Sequence, residues 1–150
     1  MKKLTLILFT LFAMGSMTAA HAQFAKAEDA IKYRKAAFTV MGTHFARIGA
    51  MVQGKAPFDA KLAAENAELV ASLSKLPWAA FGEGTDLGDT KAKPEIWKDS
   101  AKFKAAAEKM QLEAGKLAQA AQTGKEDAIK AAFSATGGSC KACHDDFRSK

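Results

Sequence analysis

Apolar residues recur at intervals of three and four along most of this 150-residue chain, whereas the alternating pattern of a strand is scarce. The spacing predicts four helices, at about 27–52, 59–76, 95–122 and 125–147. The joints between them are short, apart from a glycine-rich loop at 79–94. Helices of this number and length predict an all-α fold, an antiparallel up-and-down four-helix bundle in which each apolar stripe faces the core.

The predicted stripes contain large and small residues in alternation. Asp59 is placed as an N-cap, and Pro77 and Gly124 are placed as helix stops. The residues expected in the core are Ile31, Arg34, Phe38, Met41, Phe45 and Ile48, then Leu62, Asn66, Leu69, Leu73 and Leu76, then Ile96, Phe103, Met110 and Leu117, and finally Ile129, Phe133, Thr136, Cys140, Cys143 and Phe147.

The first 22 residues have the order of a secretory signal peptide. Two lysines precede an apolar run, and Ala20-His21-Ala22 follows it as a cleavage site. The alternative is a membrane anchor, but the run falls short of the ~20 apolar residues that span a bilayer. We therefore expect residues 1–22 to be removed, leaving one domain at 23–150 in the periplasm, without a membrane span.

Removal of Lys2 and Lys3 leaves 20 basic residues against 16 acidic ones, a formal charge of +4. The lysines alternate with acidic residues, as on a solvated helix face, and no dense basic block indicates nucleic-acid binding.

The two cysteines lie in Cys140-Lys141-Ala142-Cys143-His144, and C-x-x-C-H is the motif by which two thiols hold a haem while the adjacent imidazole reaches its iron. A thioredoxin-like site would normally accompany a βαβ pattern, which is missing here. A zinc site would need more ligands than the only other histidine after signal removal, His44, supplies. The motif therefore predicts one covalent haem c per chain, with His144 as the metal ligand.

On the predicted last helix, residues three and four apart are neighbours, so the two thiols and the imidazole address one haem in the bundle core. Gly137 and Gly138 precede the motif by one turn. They either let a flat macrocycle approach the backbone or merely loosen the helix.

The haem motif at the end of the last helix resembles cytochrome c′, the four-helix class of c-type cytochromes. The resemblance extends over residues 28–34, over Leu76-Pro77-Trp78-Ala79-Ala80-Phe81-Gly82 and over Pro94-Glu95-Ile96-Trp97, and so over essentially the whole chain after the signal peptide. It implies a homodimer through the first two helices, and a five-coordinate, high-spin haem that has His144 on one side and no protein ligand on the other. An apolar excess on the first helix, at Tyr33, Ala37, Val40, His44 and Ile48, also suggests such a contact surface.

Phe38, in the middle of the first stripe, corresponds to the apolar residue that closes the open iron face in this family, where many members have leucine. Arg34, one turn earlier, either reaches solvent along its stem or pairs with a haem propionate, as the resemblance implies. The resemblance also places Lys35, Phe81 and Asp89 near the haem, although Asp89 is equally well explained as a surface charge.

Arg148, four residues after His144, is expected over the same helical face and resembles the family's proximal arginine. There it would influence whether a ligand displaces the histidine.

Three functions are compatible with these residues. Binding of diatomic gases such as nitric oxide and carbon monoxide is favoured, because an open iron behind an apolar cap disfavours water and anions. Electron transfer to an unidentified redox partner is the alternative, with Met41, Met51, Met110 or His44 as a sixth ligand in a carrier resembling cytochrome c-556. An enzyme is expected least, since Arg34 is the only distal group suited to handling protons.

Overall fold

The computed structural model describes residues 23–150, so the predicted signal peptide lies outside the described residues. The described chain is helical, as predicted. Its helices are α1 (Ala27–Val52), α2 (Ala60–Leu73), α3 (Glu95–Lys98), α4 (Ser100–Gln122) and α5 (Glu126–Phe147), with a 3₁₀ turn at Pro77–Ala80. None of the helices in this part of the chain is both long and apolar enough to cross a membrane.

The helices pack as neighbours in chain order: α1 on α2, α2 on α4, and α4 on α5. Short joints require this arrangement, because a helix that ends in a tight turn must return along its predecessor. Ile48, Leu117 and Ile129 are completely buried where the layers meet. The four-helix bundle is confirmed, and α1 meets α5 over a shorter stretch than the other neighbouring pairs.

Aspartates begin two of the long helices. The Asp59 carboxylate accepts a hydrogen bond from the Leu62 N–H (2.9 Å), which confirms this predicted N-cap. Asp99 does the same for the Lys102 N–H (3.1 Å), and its own backbone leaves the helical region. The single helix predicted over 95–122 is therefore divided into α3 and α4, because the Asp99 side chain competes for the backbone donors of the next turn.

The prediction for the second helix was wrong about the residue at which the helix ends and about three of the residues expected in the core. α2 ends at Leu73, and Pro77 opens the 3₁₀ turn. Leu62, Leu69 and Leu76 are 43%, 44% and 42% exposed. Asn66 is buried as predicted, and the other buried residues of α2, Ala63, Ala67 and Val70, lie on an adjacent stripe.

A buried threonine joins the last two long helices. The hydroxyl of Thr136 on α5 donates to the backbone carbonyls of Glu113 (3.1 Å) and Ala132 (2.9 Å). The Glu113 side chain is 7% exposed and lies between Lys109 and Lys116, whose hydrogen bonds lower the pKa of its carboxyl group. The hydrogen bond from Thr136 to the Glu113 carbonyl joins α5 to α4 one turn before Cys140.

Candidate functional site

A cavity of about 740 Å³ opens between α1, the 78–92 segment, α4 and α5. It lies where α1 and α5 would otherwise close the bundle, and its walls are largely apolar. Gly137 of α5 lines it, whereas Gly138 does not. Only the first of the two glycines therefore keeps the wall of the cavity thin, and a Cβ there would meet the Phe45 ring at 3.6 Å.

The three residues of the predicted haem motif all line this cavity. Cys140, Cys143 and His144 project from one face of α5, and both thiols are free. Burial raises the pKa of Cys140, and it raises the pKa of Cys143 to about 11, with smaller contributions from Cys140 and Asp146. The thiols are therefore protonated at neutral pH.

The pKa of His144 is lowered, chiefly by burial and then by the charge of Arg148. Its imidazole is accordingly neutral at pH 7, and a neutral ring nitrogen has the lone pair that a metal requires. The described residues thus present one metal-binding nitrogen and two thiols to the same space.

Arg34 forms the wall of the cavity nearest the long loop, and it is only 2% exposed. Its Nη1 donates to the Ala80 carbonyl (3.0 Å) and the Thr85 hydroxyl (2.8 Å). Its Nη2 donates to the Thr85 carbonyl (2.6 Å) and the Thr90 hydroxyl (2.7 Å). The carbon of the guanidinium stands 4.3 Å from the centroid of the Phe81 ring.

All four acceptors of Arg34 are neutral, so these bonds satisfy its donors but do not balance its charge. Burial lowers the pKa of Arg34 for the same reason. An anionic group entering the cavity would supply the missing counter-charge. The acidic side chains of a haem meet that need, and the two thiols and the imidazole meet the needs of its vinyl groups and iron. The residues present therefore fit a haem c.

Lys35 and Asp89 are brought together, but at the outer edge of the site. The Lys35 ammonium lies 2.5 Å from the Asp89 carboxylate, which is 94% exposed and has its pKa lowered by this contact. Lys35 lines the cavity, whereas Asp89 is outside its lining. Asp89 therefore lies on the rim of the site as an exposed charge, the second of the two interpretations that the sequence allowed.

Aromatic rings cover the α1 side of the cavity. Phe38 meets Trp78 edge-on at 5.7 Å between centroids and Phe81 at 6.4 Å. Phe103 of α4 packs against both Trp78 (5.7 Å) and Phe81 (4.9 Å). The sequence singled out Phe38 and Phe81, but the part played by Trp78 and Phe103 was missed because it depends on contacts between distant segments.

Arg148 lines the cavity, but not from a helix. α5 ends at Phe147, and the Arg148 backbone is extended (φ −125°, ψ 129°). It pairs there with Ala92 in an isolated antiparallel bridge. Arg148 therefore shares the cavity with His144, as expected, but its extended backbone places it as the residue that caps the helix and meets the loop.

The candidate sixth ligands are divided between the cavity and the rest of the core. Met41 and Met110 line the cavity, whereas Met51 is buried outside its lining. His44 is also outside the lining, and its Nδ1 forms a 2.8 Å hydrogen bond with Asn66 Oδ1 on α2. It is half-buried, on the side of α1 that meets α2.

Comparison with known proteins gives consistent matches. A family model described as cytochrome C′ matches residues 29–148. The chain is 58% identical to cytochrome c′ of Rubrivivax gelatinosus and 52% identical to that of Alcaligenes xylosoxydans xylosoxydans, in each case over 85% of this chain and 99–100% of the relative. The crystal structure of the Rubrivivax protein superposes with a TM-score of 0.82. A nitric oxide complex of a mutant cytochrome c prime from Alcaligenes xylosoxidans superposes with a TM-score of 0.80 at 50% identity, over 85% of this chain and 99% of that one.

Replacement of Arg34 by methionine is expected to lower the free energy of unfolding by about 2–4 kcal/mol, because it leaves buried carbonyl groups of the loop without donors. Trypsin should also cut faster at Lys91 and Lys93 in the native protein. Chemical denaturation and timed proteolysis measure the two effects. Arg47→Met, which removes an exposed arginine from the same helix, is the control. Equal stability and equal cleavage rates in the two variants would contradict the role given to Arg34.

Proposed function

The chain belongs to the cytochrome c′ family, and on that premise we propose that it binds diatomic gases at a five-coordinate, high-spin haem in the periplasm. The family carries covalent haem c, and Cys140 and Cys143 are the thiols that hold it here. His144 is the proposed proximal ligand. The observation that carries the proposal is the position of Phe38, an apolar cap from α1 on the cavity into which His144 projects from α5.

Several of the described residues have separate roles in such a site. The haem supplies an iron that binds small molecules and changes oxidation state. His144 donates a neutral nitrogen, and the charge of Arg34 is available to a propionate. The rings of Phe38 and Trp78 exclude water and hydrated anions, which would lose hydration on entry, but admit neutral diatomic molecules.

The comparisons support nitric oxide as a ligand, since one of the matching structures is a nitric oxide complex of a cytochrome c prime. We expect binding rather than turnover. The terminal donors of Arg34 are occupied by the loop, so this distal arginine is poorly placed to move protons. Electron exchange with an unidentified redox partner is compatible with the same site.

A second candidate is a six-coordinate electron carrier, and one observation favours it. The thioethers of Met41 and Met110 both border the cavity. Met41 lies on α1 one turn from Phe38, and its thioether would be the sixth ligand if it faced the iron. Core methionines more often fill space than bind metals, and we therefore rank this candidate second.

The optical spectrum of the reduced protein decides between the two candidates. We expect the spectrum of a high-spin, five-coordinate haem, unchanged in Met41→Leu and in Met110→Leu, because neither sulfur is a ligand. A low-spin spectrum that becomes high-spin in one of these variants would identify that methionine as the sixth ligand and overturn the proposal.

Secretion is proposed from the segment that precedes the described residues. The order of basic residues, apolar run and Ala20-His21-Ala22 supports cleavage after residue 22 and haem attachment in the periplasm.

We also propose a homodimer through α1 and α2. Leu62, Leu69 and Leu76 are exposed at intervals of seven residues, and Val40 on α1 is 46% exposed. Leu62 and Leu69 lie seven residues apart on α2 and so share one helical face, and Leu76 extends this apolar row just beyond the end of the helix. Ala37 and Ile48, which the sequence assigned to this surface, are buried within the subunit and belong to its own core.

Sedimentation equilibrium at micromolar concentration is expected to show a dimer for the wild type. Leu69→Glu should give a monomer, because it places a charge in the middle of the apolar row. Leu112→Glu is the control, since it changes an exposed leucine on α4. A wild-type monomer, or equal dimerisation in both variants, would count against this interface.

Phe38→Ala is expected to make carbon monoxide bind the reduced protein faster by roughly tenfold or more, which corresponds to about 1.4 kcal/mol of barrier. Truncation of the ring opens space above the iron, and the loss in stability of roughly 3–5 kcal/mol is partly recovered when a ligand fills it. Stopped-flow mixing measures the rate. Phe133→Ala, outside the cavity lining, is the control. Equal rates for Phe38→Ala and the wild type would mean that another group closes the distal face.

A further inference from the structure

One lysine caps almost the whole C-terminus of the haem-binding helix. The last four carbonyl groups of an α-helix, here those of residues 144–147, have no partner within the helix. The Lys93 ammonium accounts for two of them, since it donates to the carbonyls of Asp145 (2.8 Å) and Asp146 (3.2 Å). The Lys93 backbone N–H accounts for a third by donating to the Phe147 carbonyl (3.0 Å).

The bonds on either side of Lys93 fix the chain beyond the helix. The remaining carbonyl, that of His144, accepts from the Arg148 N–H (3.0 Å). Ala92 pairs with Arg148 in the antiparallel bridge, and the Lys91 carbonyl accepts from both the backbone N–H (2.8 Å) and the hydroxyl (3.0 Å) of Ser149. Segment 91–93 therefore holds both the last turn of α5, which carries His144, and the extended chain at Arg148.

Segment 91–93 is itself anchored from its other side. The Ala92 N–H donates to the Thr90 hydroxyl (3.1 Å), and the same hydroxyl accepts from Arg34 Nη2 (2.7 Å). The Lys93 carbonyl accepts from the Ile96 N–H at the start of α3 (3.1 Å). The segment is thus tied to α1 and to α3, so it is a fixed support against which the end of α5 is held.

We propose that Lys93 is a positioning residue for the iron site: its ammonium holds the last turn of α5, and through it the imidazole of His144 and the backbone of Arg148. The cation also lies at the negative end of the helix dipole, where its charge is favourable. The proposal rests on His144 being the iron ligand, as the proposed function states. Other contacts keep the fold intact without the ammonium, namely the Phe147 ring against Phe103 (5.2 Å) and the Lys102–Asp146 ion pair (3.0 Å).

The test uses haem-loaded Lys93→Met, with Lys93→Arg as the rescue variant and Lys98→Met as the control that removes an exposed lysine nearby. The first readout is amide hydrogen exchange of the reduced, gas-free protein over residues 144–150. Exchange should be about three- to tenfold faster in Lys93→Met, while exchange in α2 stays the same. The arginine variant should regain most of the protection, because it restores a cationic donor.

The second readout is the optical time course of His144 loss from the iron after mixing with nitric oxide. We expect the loss to be several-fold faster in Lys93→Met than in the wild type or in Lys98→Met. Wild-type exchange and wild-type kinetics in Lys93→Met would overturn the proposal. If nitric oxide binds and leaves His144 on the iron in every variant, hydrogen exchange alone decides the role of Lys93, and wild-type exchange in Lys93→Met overturns the proposal.

Discussion

The burial of a single guanidinium organises the open side of this bundle. A charge withdrawn from water is costly unless every donor finds an acceptor and some opposite charge lies near. Arg34 meets the first condition by gathering Ala80, Thr85 and Thr90 from a loop that has little regular structure of its own. The opposite charge must come from the group that fills the cavity. The loop, the arginine and an acidic cofactor therefore stabilise one another.

The packing of the bundle core also depends on the group that fills the cavity. Protein interiors are close-packed, and a void of about 740 Å³ deprives its walls of contacts on one side. A haem c held by Cys140 and Cys143 is therefore part of the core as well as the reactive group, and its covalent attachment keeps the bundle from losing that part of its interior.

The sequence predicted the long helices and the haem motif because both are local: a helix is visible in three-and-four spacing, and Cys140, Cys143 and His144 lie within five residues. It failed where distant segments meet. Periodicity marks Leu62, Leu69 and Leu76 as one face, but it does not tell a face that meets the subunit's own core from one that is left exposed. The break between α3 and α4 at Asp99 could have been predicted, since an aspartate before a helical pattern is an N-cap signal.

Side-chain contacts within the site were also hard to predict, because they join segments that are distant in the sequence. Arg34 stood out as a charge on an apolar stripe, but its partners are 46 to 56 residues away. Arg148 was placed by counting helical turns and does line the cavity with His144, but its bridge to Ala92, 56 residues earlier, has no local signal. Lys93 has no local signal at all, because it caps a helix that begins more than thirty residues later in the chain.

The aromatic cover of the cavity has an optical consequence. Trp78 borders the cavity directly, and Trp97 lies one ring further out, 6.5 Å from Phe81, with its indole N–H donating to the Phe81 and Gly82 carbonyls. A haem within contact distance of an indole takes up its excitation energy before the indole emits. The fluorescence of the two tryptophans should therefore be weak in the haem-loaded protein and strong in any molecule whose cavity lacks a haem.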